Sequence, residues 1–157
     1  MSTRCLIGVA RRVGSGWFPP IDYIYCHNDG YPSYVGEALE AFYNTHEKAE
    51  RLLALGDLSS IGVEPVPFAD NAEYERDLVE RVRRHVKYPA KCSSSAVTDG
   101  RGMEGNAAHH TNHCGSFVQE ADGSIEYLYM LTGDGTWNVW DTGRPWRGWI
   151  LVPECTE

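Results

Sequence analysis

The first two apolar runs of the chain have the composition of β-strands. Arg4–Ala10, RCLIGVA, is a nearly continuous run of apolar residues, as in a buried strand. Asp22–Cys26, DYIYC, is rich in aromatic and β-branched residues. Because a turn-rich segment with two glycines and two prolines separates the runs, we predict two neighbouring antiparallel strands.

Helical periodicity follows in two segments. In Ser33–Tyr43 apolar residues recur on one face, and Ser33 is the predicted N-cap. A second helix is predicted to follow its cap at Thr45 and to run through Leu55, where Gly56 stops it. Both helices therefore have an apolar side that could pack on the strands.

The middle of the chain contains one more helical pattern and two segments without periodicity. A capping-box pattern at Asp70 and Glu73 opens the third predicted helix, and Pro89 ends it. The preceding segment Gly56–Val63 is predicted to be a compact turn. Ala90–Cys114 is small, polar and glycine-rich, which predicts a long loop, and such loops in compact domains are usually functional or disordered.

The end of the chain is predicted to be β-structure. Turn residues separate its apolar segments. The predicted strands are Ser116–Gln119, Ile125–Thr132, Thr136–Asp141 and Trp149–Val152. Residues 1–157 are therefore predicted to form a single α+β domain, an antiparallel sheet packed on one side by about three helices.

Composition excludes some classes of function without selecting one. The formal net charge of -8 argues against general nucleic-acid binding, which needs a basic face. We find no segment typical of a membrane span or of a signal peptide. The five cysteines are odd in number and form no C-x-x-C pair. We therefore expect reduced thiols, a cytoplasmic location and no membrane partner.

The segment Asp22–Gly36 is the first place to look for a site. It joins a strand end, a polar turn and a helix start within about fifteen residues. Backbone N–H groups and the positive end of the helix dipole favour anions at such a junction. The ligand-binding candidates in this corner are His27, Asp29, Tyr31 and Tyr34.

Two stretches in this part of the chain carry a resemblance to a known group of proteins. IYCHNDGYPSYVG, followed by KAERLLALGDLSSIG, resembles the hallmark of small accessory proteins encoded by bacteriophages and prophages. The resemblance covers about Ile24 to Gly62, and Asn28 stands where the group's pattern has tryptophan. It implies origin in a mobile element, where small proteins often counter host defence, and it carries over no catalytic residue.

Aromatic and arginine side chains supply the other ligand-binding candidates. A base could stack on Trp140 while Arg144 takes a phosphate, and Arg101 could contact an anion if its loop closed over a ligand. Ordinary packing together with a protein interface is the competing interpretation of the tryptophans. The loop could instead dock against a second subunit of a homo-oligomer.

The run HHTNHC is the most metal-like stretch of the chain. If it bound zinc, the ligands would be His109, His113 and Cys114. Because no rigid scaffold or defined fourth ligand accompanies the run, we predict no stoichiometric zinc and no other cofactor. The G-x-G-x-x-G at Gly100–Gly105 lacks the strand and helix of a dinucleotide site and is predicted to be loop.

These features favour a binding protein over an enzyme, and we assign no catalytic residue. The leading hypothesis is a phage counter-defence protein that sequesters a nucleotide-type host immune signal in the cytoplasm of an infected bacterium. The alternative is an anti-CRISPR or similar inhibitor that binds a host defence complex directly. The second alternative is an enzyme that degrades a nucleotide signal.

Overall fold

The computed structural model describes the chain in several ranges. These are residues 3–10, 20–67, 72, 76, 93–98, 109–111, 114–121 and 123–155. The strands are β1 (Arg4–Ala10), β2 (Ile21–Cys26), β3 (Leu58–Ser60), β4 (Gly62–Pro67), β5 (Ser93–Thr98), β6 (His109–Thr111), β7 (Ile125–Leu131), β8 (Trp137–Asp141) and β9 (Ile150–Leu151). The helices are α1 (Glu37–Phe42), α2 (His46–Leu53) and α3 (Cys114–Gln119), with a π-helical turn at Pro32–Gly36 and 3₁₀ turns at Pro145–Arg147 and Val152–Glu154.

The described strands form one sheet with β1 and β2 near its centre. The strand order is β4-β5-β3-β2-β1-β7-β8-β9, and β6 pairs with β2 beside this path. β1 and β2 are antiparallel, with Cys5 opposite Cys26 and Leu6 opposite Tyr25. The prediction that these strands are neighbours in a sheet that also holds β7 is confirmed.

The α+β class is confirmed, but the sheet is mixed and not antiparallel throughout. Three pairs are parallel: β1 with β7, β2 with β3, and β4 with β5. Tight turns favour antiparallel pairs, as in β7 and β8, whereas β1 and β7 lie far apart in sequence and no hairpin fixes their direction. All three parallel pairs join strands that are distant along the chain, so no local sequence pattern predicts them.

Two apolar clusters cover the two faces of the sheet. One contains Cys5, Ile7, Ile24 and Cys26 together with buried side chains of α1 and α2. The other contains Leu6, Ile21, Tyr23 and Phe117. Residues therefore alternate between the clusters along β1 and β2, as the pleat of a strand requires.

The prediction of a strand at Ser116–Gln119 is wrong, because these residues belong to helix α3. Phe117 from this helix is fully buried in the second cluster, 5.2 Å from Tyr23 between ring centroids. A Cβ on Gly8 would lie 2.9 Å from Cζ of Phe117, so the helix can pack only because β1 has a glycine at that position. This long-range fit outweighs the weak local preference of a six-residue segment.

Other predicted boundaries also change. The predicted turn Gly56–Val63 contains β3 and the start of β4, and the predicted loop Ala90–Cys114 contains β5 and β6. Strand pairing with distant segments stabilises these polar stretches. Of the third predicted helix, positions 72 and 76 are helical and the rest lies outside the described residues.

The ends of the first two helices are partly as predicted. Tyr31, and not Ser33, is the N-cap, because the π-helical turn already begins at Pro32. The N-cap of α2 is Thr45, whose Oγ1 accepts a hydrogen bond from the Lys48 N–H at 3.2 Å. Gly56 follows α2 with φ of 76°, a conformation that favours glycine.

Candidate functional site

A polar pocket lies on the sheet face of the second cluster, at the carboxyl end of β2. Its volume is about 400 Å³. The described residues that line it are Arg4, Leu6, Tyr23, Tyr25, His27, Asp57, Glu120, Ser124 and Ile125. They come from β1, from β2 and its extension, from the turn after α2, and from the segment between α3 and the start of β7.

The alternation of β2 places three ring side chains of this pocket on one face. Tyr23, Tyr25 and His27 are two residues apart, so their side chains point to the same side of the sheet. The Tyr25 hydroxyl lies 2.6 Å from Nδ1 of His27. When the hydroxyl donates, the neutral imidazole carries its proton on Nε2, where it can donate to a ligand. Cys26 is fully buried in the first cluster on the other face, so its thiol and the His27 imidazole lie on opposite sides of the sheet.

Asp57 fills a gap in the pairing of the outer edge of β2. β6 pairs with Ile21 to Tyr23, and β3 pairs with Cys26. Between them, the Tyr25 N–H donates to Oδ1 of Asp57 at 3.0 Å. This bond satisfies an edge N–H group and fixes one carboxylate at the pocket wall.

The surroundings of the Tyr23 side chain indicate that this part of the pocket is partly shielded from water and carries negative charge. Burial, together with the hydrogen-bonded carboxylate of Glu120 and the charge of Asp57, raises the pKa of Tyr23 to about 12. The hydroxyl therefore stays neutral and donates to Glu120 at ordinary pH. Glu120 immediately follows α3, so the helix whose Phe117 enters the core also delivers this carboxylate.

The strand–turn–helix corner itself is closed by main-chain hydrogen bonds. The N–H groups of His27, Asn28 and Gly30 donate to carbonyls of Leu58, Ser59 and Thr3 at 2.8–3.0 Å. These donors are therefore not available to an anion. The left-handed residue of the turn is Asp29, with φ of 58°.

Gly30 is required for close packing and not for its backbone angles. A Cβ at this position would lie 2.8 Å from the Thr3 carbonyl oxygen and 2.9 Å from Cβ of Cys5. The Tyr129 hydroxyl donates to the Gly30 carbonyl at 2.6 Å. The turn is thus held between β1 and β7, next to the pocket residues Arg4 and His27.

The candidate residues that the sequence suggested lie in different parts of the structure. Among the described lining residues of the pocket, His27 is the one that had been predicted. Tyr31 and Tyr34 form an edge-to-face pair at 6.0 Å, and Asp29 belongs to the turn.

The C-terminal candidates take part in other contacts. Trp140 packs edge-to-face on Trp149 at 5.7 Å, and Nε of Arg144 lies 3.8 Å from Oδ2 of Asp141. Arg101 and His113 lie outside the described residues. His109 begins β6 and Cys114 begins α3, and the expectation of no zinc stays a prediction.

Sequence reasoning missed most of the pocket. The two-residue spacing of Tyr23, Tyr25 and His27 was a usable signal, since residues at that spacing on a strand share a face. Asp57 and Glu120 gave no comparable signal, because only the three-dimensional arrangement brings the ends of α2 and α3 to β2.

A second cavity of about 480 Å³ lies beside the π-helical turn, α1 and the C-terminal 3₁₀ turn. Its described lining combines proline and aliphatic side chains with Glu37, Glu40 and Cys155. Burial raises the pKa of Glu40, which shows that this wall is less hydrated than an open surface.

Comparison of the chain with protein-family models, with curated proteins and with solved structures finds no match. Within the described residues, no helix is both long enough and apolar enough to cross a membrane. Function is therefore inferred from the pocket and from the sequence pattern.

Proposed function

We propose that this protein binds a nucleotide-type small molecule in the β2 pocket without converting it. In an infected bacterium such binding would sequester a host immune signal, as the resemblance to phage accessory proteins suggests. The observation that carries the proposal is the combination of hydrogen-bond acceptors, donors and aromatic rings in one pocket.

The lining matches the chemistry of a nucleotide. Bases present N–H donors and ring or carbonyl acceptors on one edge, and their faces stack on aromatic rings. Asp57 and Glu120 can accept, Arg4 can donate, and the tyrosines can do either. The volume of about 400 Å³ is within the usual range of small-molecule sites.

The internal hydrogen bonds of the pocket hold its polar groups in place before a ligand arrives. Asp57 is held by the Tyr25 N–H, Glu120 by the Tyr23 hydroxyl, and Nδ1 of His27 by the Tyr25 hydroxyl. Groups fixed in this way lose little conformational entropy when a ligand arrives, which improves affinity.

The test is incubation of the purified protein with a panel of nucleotide signals, followed by heat release and chromatography. We expect uptake of at least one nucleotide, its release in unchanged form, and weaker uptake by Asp57→Asn. Chemically altered product would identify an enzyme instead. Absence of uptake across the panel would contradict the proposal.

One observation favours direct protein binding as the second candidate. Trp146 is 78 % exposed, and Leu151 nearby in sequence is 38 % exposed. Exposed tryptophan is typical of interface hot spots, and the charge of -8 would suit a basic partner surface. If this candidate is correct, Trp146→Ala abolishes inhibition of the defence system while Asp57→Asn does not.

A further inference from the structure

The pocket has opposite polarity at its two ends along β2. The Tyr23 end is rich in acceptors, because Glu120 accepts a hydrogen bond from the Tyr23 hydroxyl, and Oδ1 of Asp57 accepts the N–H of Tyr25, the next residue of β2 on this face, at 3.0 Å. The other end carries donors. Arg4 and His27 each lie one residue beyond the paired Cys5 and Cys26, so the two strands bring them side by side.

The distance between the two ends suits an extended ligand. Tyr23 and His27 are four residues apart, which is roughly 14 Å along an extended strand at about 3.4 Å per residue. This length is comparable to that of an extended mononucleotide. The aromatic ring of Tyr25 lies between the two ends, where it can contact a base or a sugar.

Each end selects a different chemical group. Ionised carboxylates only accept hydrogen bonds, so Glu120 and Asp57 favour an N–H group and repel a carbonyl oxygen. A guanidinium only donates, is always charged and binds phosphate through two parallel hydrogen bonds. We infer that the pocket takes a nucleotide whose base bears an exocyclic amino group, with the base toward Tyr23 and Glu120 and the phosphate toward Arg4 and His27.

This inference depends on the proposed function and makes it more specific. Titration calorimetry of the full chain with AMP, IMP and adenosine, and with CMP, UMP and cytidine, tests both ends. We expect AMP and CMP to bind about tenfold or more tightly than IMP and UMP, because the keto bases replace the exocyclic amino group that donates to the carboxylates with a carbonyl oxygen that the carboxylates repel. The nucleosides should bind about tenfold or more weakly than their monophosphates, because a hydrogen bond to a charged group is lost.

Matched variants assign the two preferences to their residues. Glu120→Gln should remove the preference for amino bases and keep the preference for phosphate. Arg4→Gln should do the opposite. Glu126→Gln, an exposed glutamate on β7 outside the described lining, should change neither, and circular dichroism confirms that each variant is folded.

The outcomes separate this inference from the proposed function. Equal affinity for amino and keto nucleotides would overturn the inferred orientation and leave nucleotide binding in place. The same conclusion would follow if Glu120→Gln and Arg4→Gln left both preferences unchanged. Failure of all six compounds to bind would overturn the inferred ligand class, whereas the proposed function fails only if the whole panel of nucleotide signals is not taken up.

Discussion

The Tyr25 hydroxyl and Nδ1 of His27 are 2.6 Å apart, joined across a single intervening residue that faces the opposite side of the sheet. The pair exists because β2 alternates its side chains, and Cys26 between them is part of the core. The core thus fixes the position from which both polar groups enter the pocket.

Breaking this pair should weaken the fold by a modest amount. We expect a double-mutant cycle with Tyr25→Phe and His27→Asn to give a coupling free energy of about 0.5–1.5 kcal/mol in urea unfolding, as for a typical hydrogen bond. Additive effects of the two substitutions would show that the contact does not contribute to stability.

The raised pKa of Tyr23 predicts a loss of stability in alkaline solution. The unfolded tyrosine ionises near pH 10, whereas burial and the neighbouring carboxylates keep the folded one protonated up to about 12. Between these values the unfolded state has released a proton that the folded state retains, so the free energy of unfolding falls as pH rises.

Tyr23→Phe isolates this contribution. We expect the stability advantage of the wild-type protein over Tyr23→Phe to be constant below pH 10 and to shrink between pH 10 and 12. Urea unfolding of both proteins across this range measures it. A pH-independent difference would mean that Tyr23 titrates normally in the folded protein.

Glu40 should behave as a destabilising charge at neutral pH. Burial raises its pKa, so the folded state favours the neutral acid and ionisation opposes folding. Glu40→Gln should therefore raise the free energy of unfolding at neutral pH, with the gain disappearing below the ordinary pKa of a carboxyl group.

The exposed Glu37 provides a control for this prediction. It shares the first turn of α1 and the wall of the same cavity with Glu40, so the helix dipole acts on both charges, but its side chain is exposed to water. Glu37→Gln should be neutral or slightly destabilising at neutral pH. Equal stabilisation by both substitutions would point to the net charge of the protein and not to the burial of Glu40.

The sequence predicted the parts of the fold that local patterns encode. Apolar runs separated by turn residues predict the strands β1, β2, β7 and β8. A threonine before a helical pattern predicts the N-cap of α2. β3, β5 and β6 consist largely of polar residues, and pairing with distant strands stabilises them. A sequence window cannot contain that information.

The candidate site was less predictable than the fold. His27 was found because it follows a strand and precedes a turn, whereas Glu120 reaches the pocket only because Phe117 anchors α3 over Gly8. At the predicted anion corner, distant carbonyls of β3 and Thr3 already accept the N–H groups of His27, Asn28 and Gly30, so these three are not available to an anion.

Gly30 links the packing of the turn to the pocket. A methyl group there would lie within 2.9 Å of both the Thr3 oxygen and Cβ of Cys5, and one of these neighbours is backbone that cannot rotate away. We expect Gly30→Ala to lower the free energy of unfolding by about 1–3 kcal/mol, as for an overpacked core.

Gly123→Ala is the matched control, because no atom lies within 4 Å of the corresponding Cβ position. Its stability should differ from that of the wild type by less than about 0.5 kcal/mol, as for an unremarkable surface change. Because Thr3 and Gly30 adjoin Arg4 and His27, Gly30→Ala should also weaken nucleotide binding at a temperature where the variant is still folded, and Gly123→Ala should not. Wild-type stability and binding in Gly30→Ala would show that the turn can move aside without disturbing the pocket.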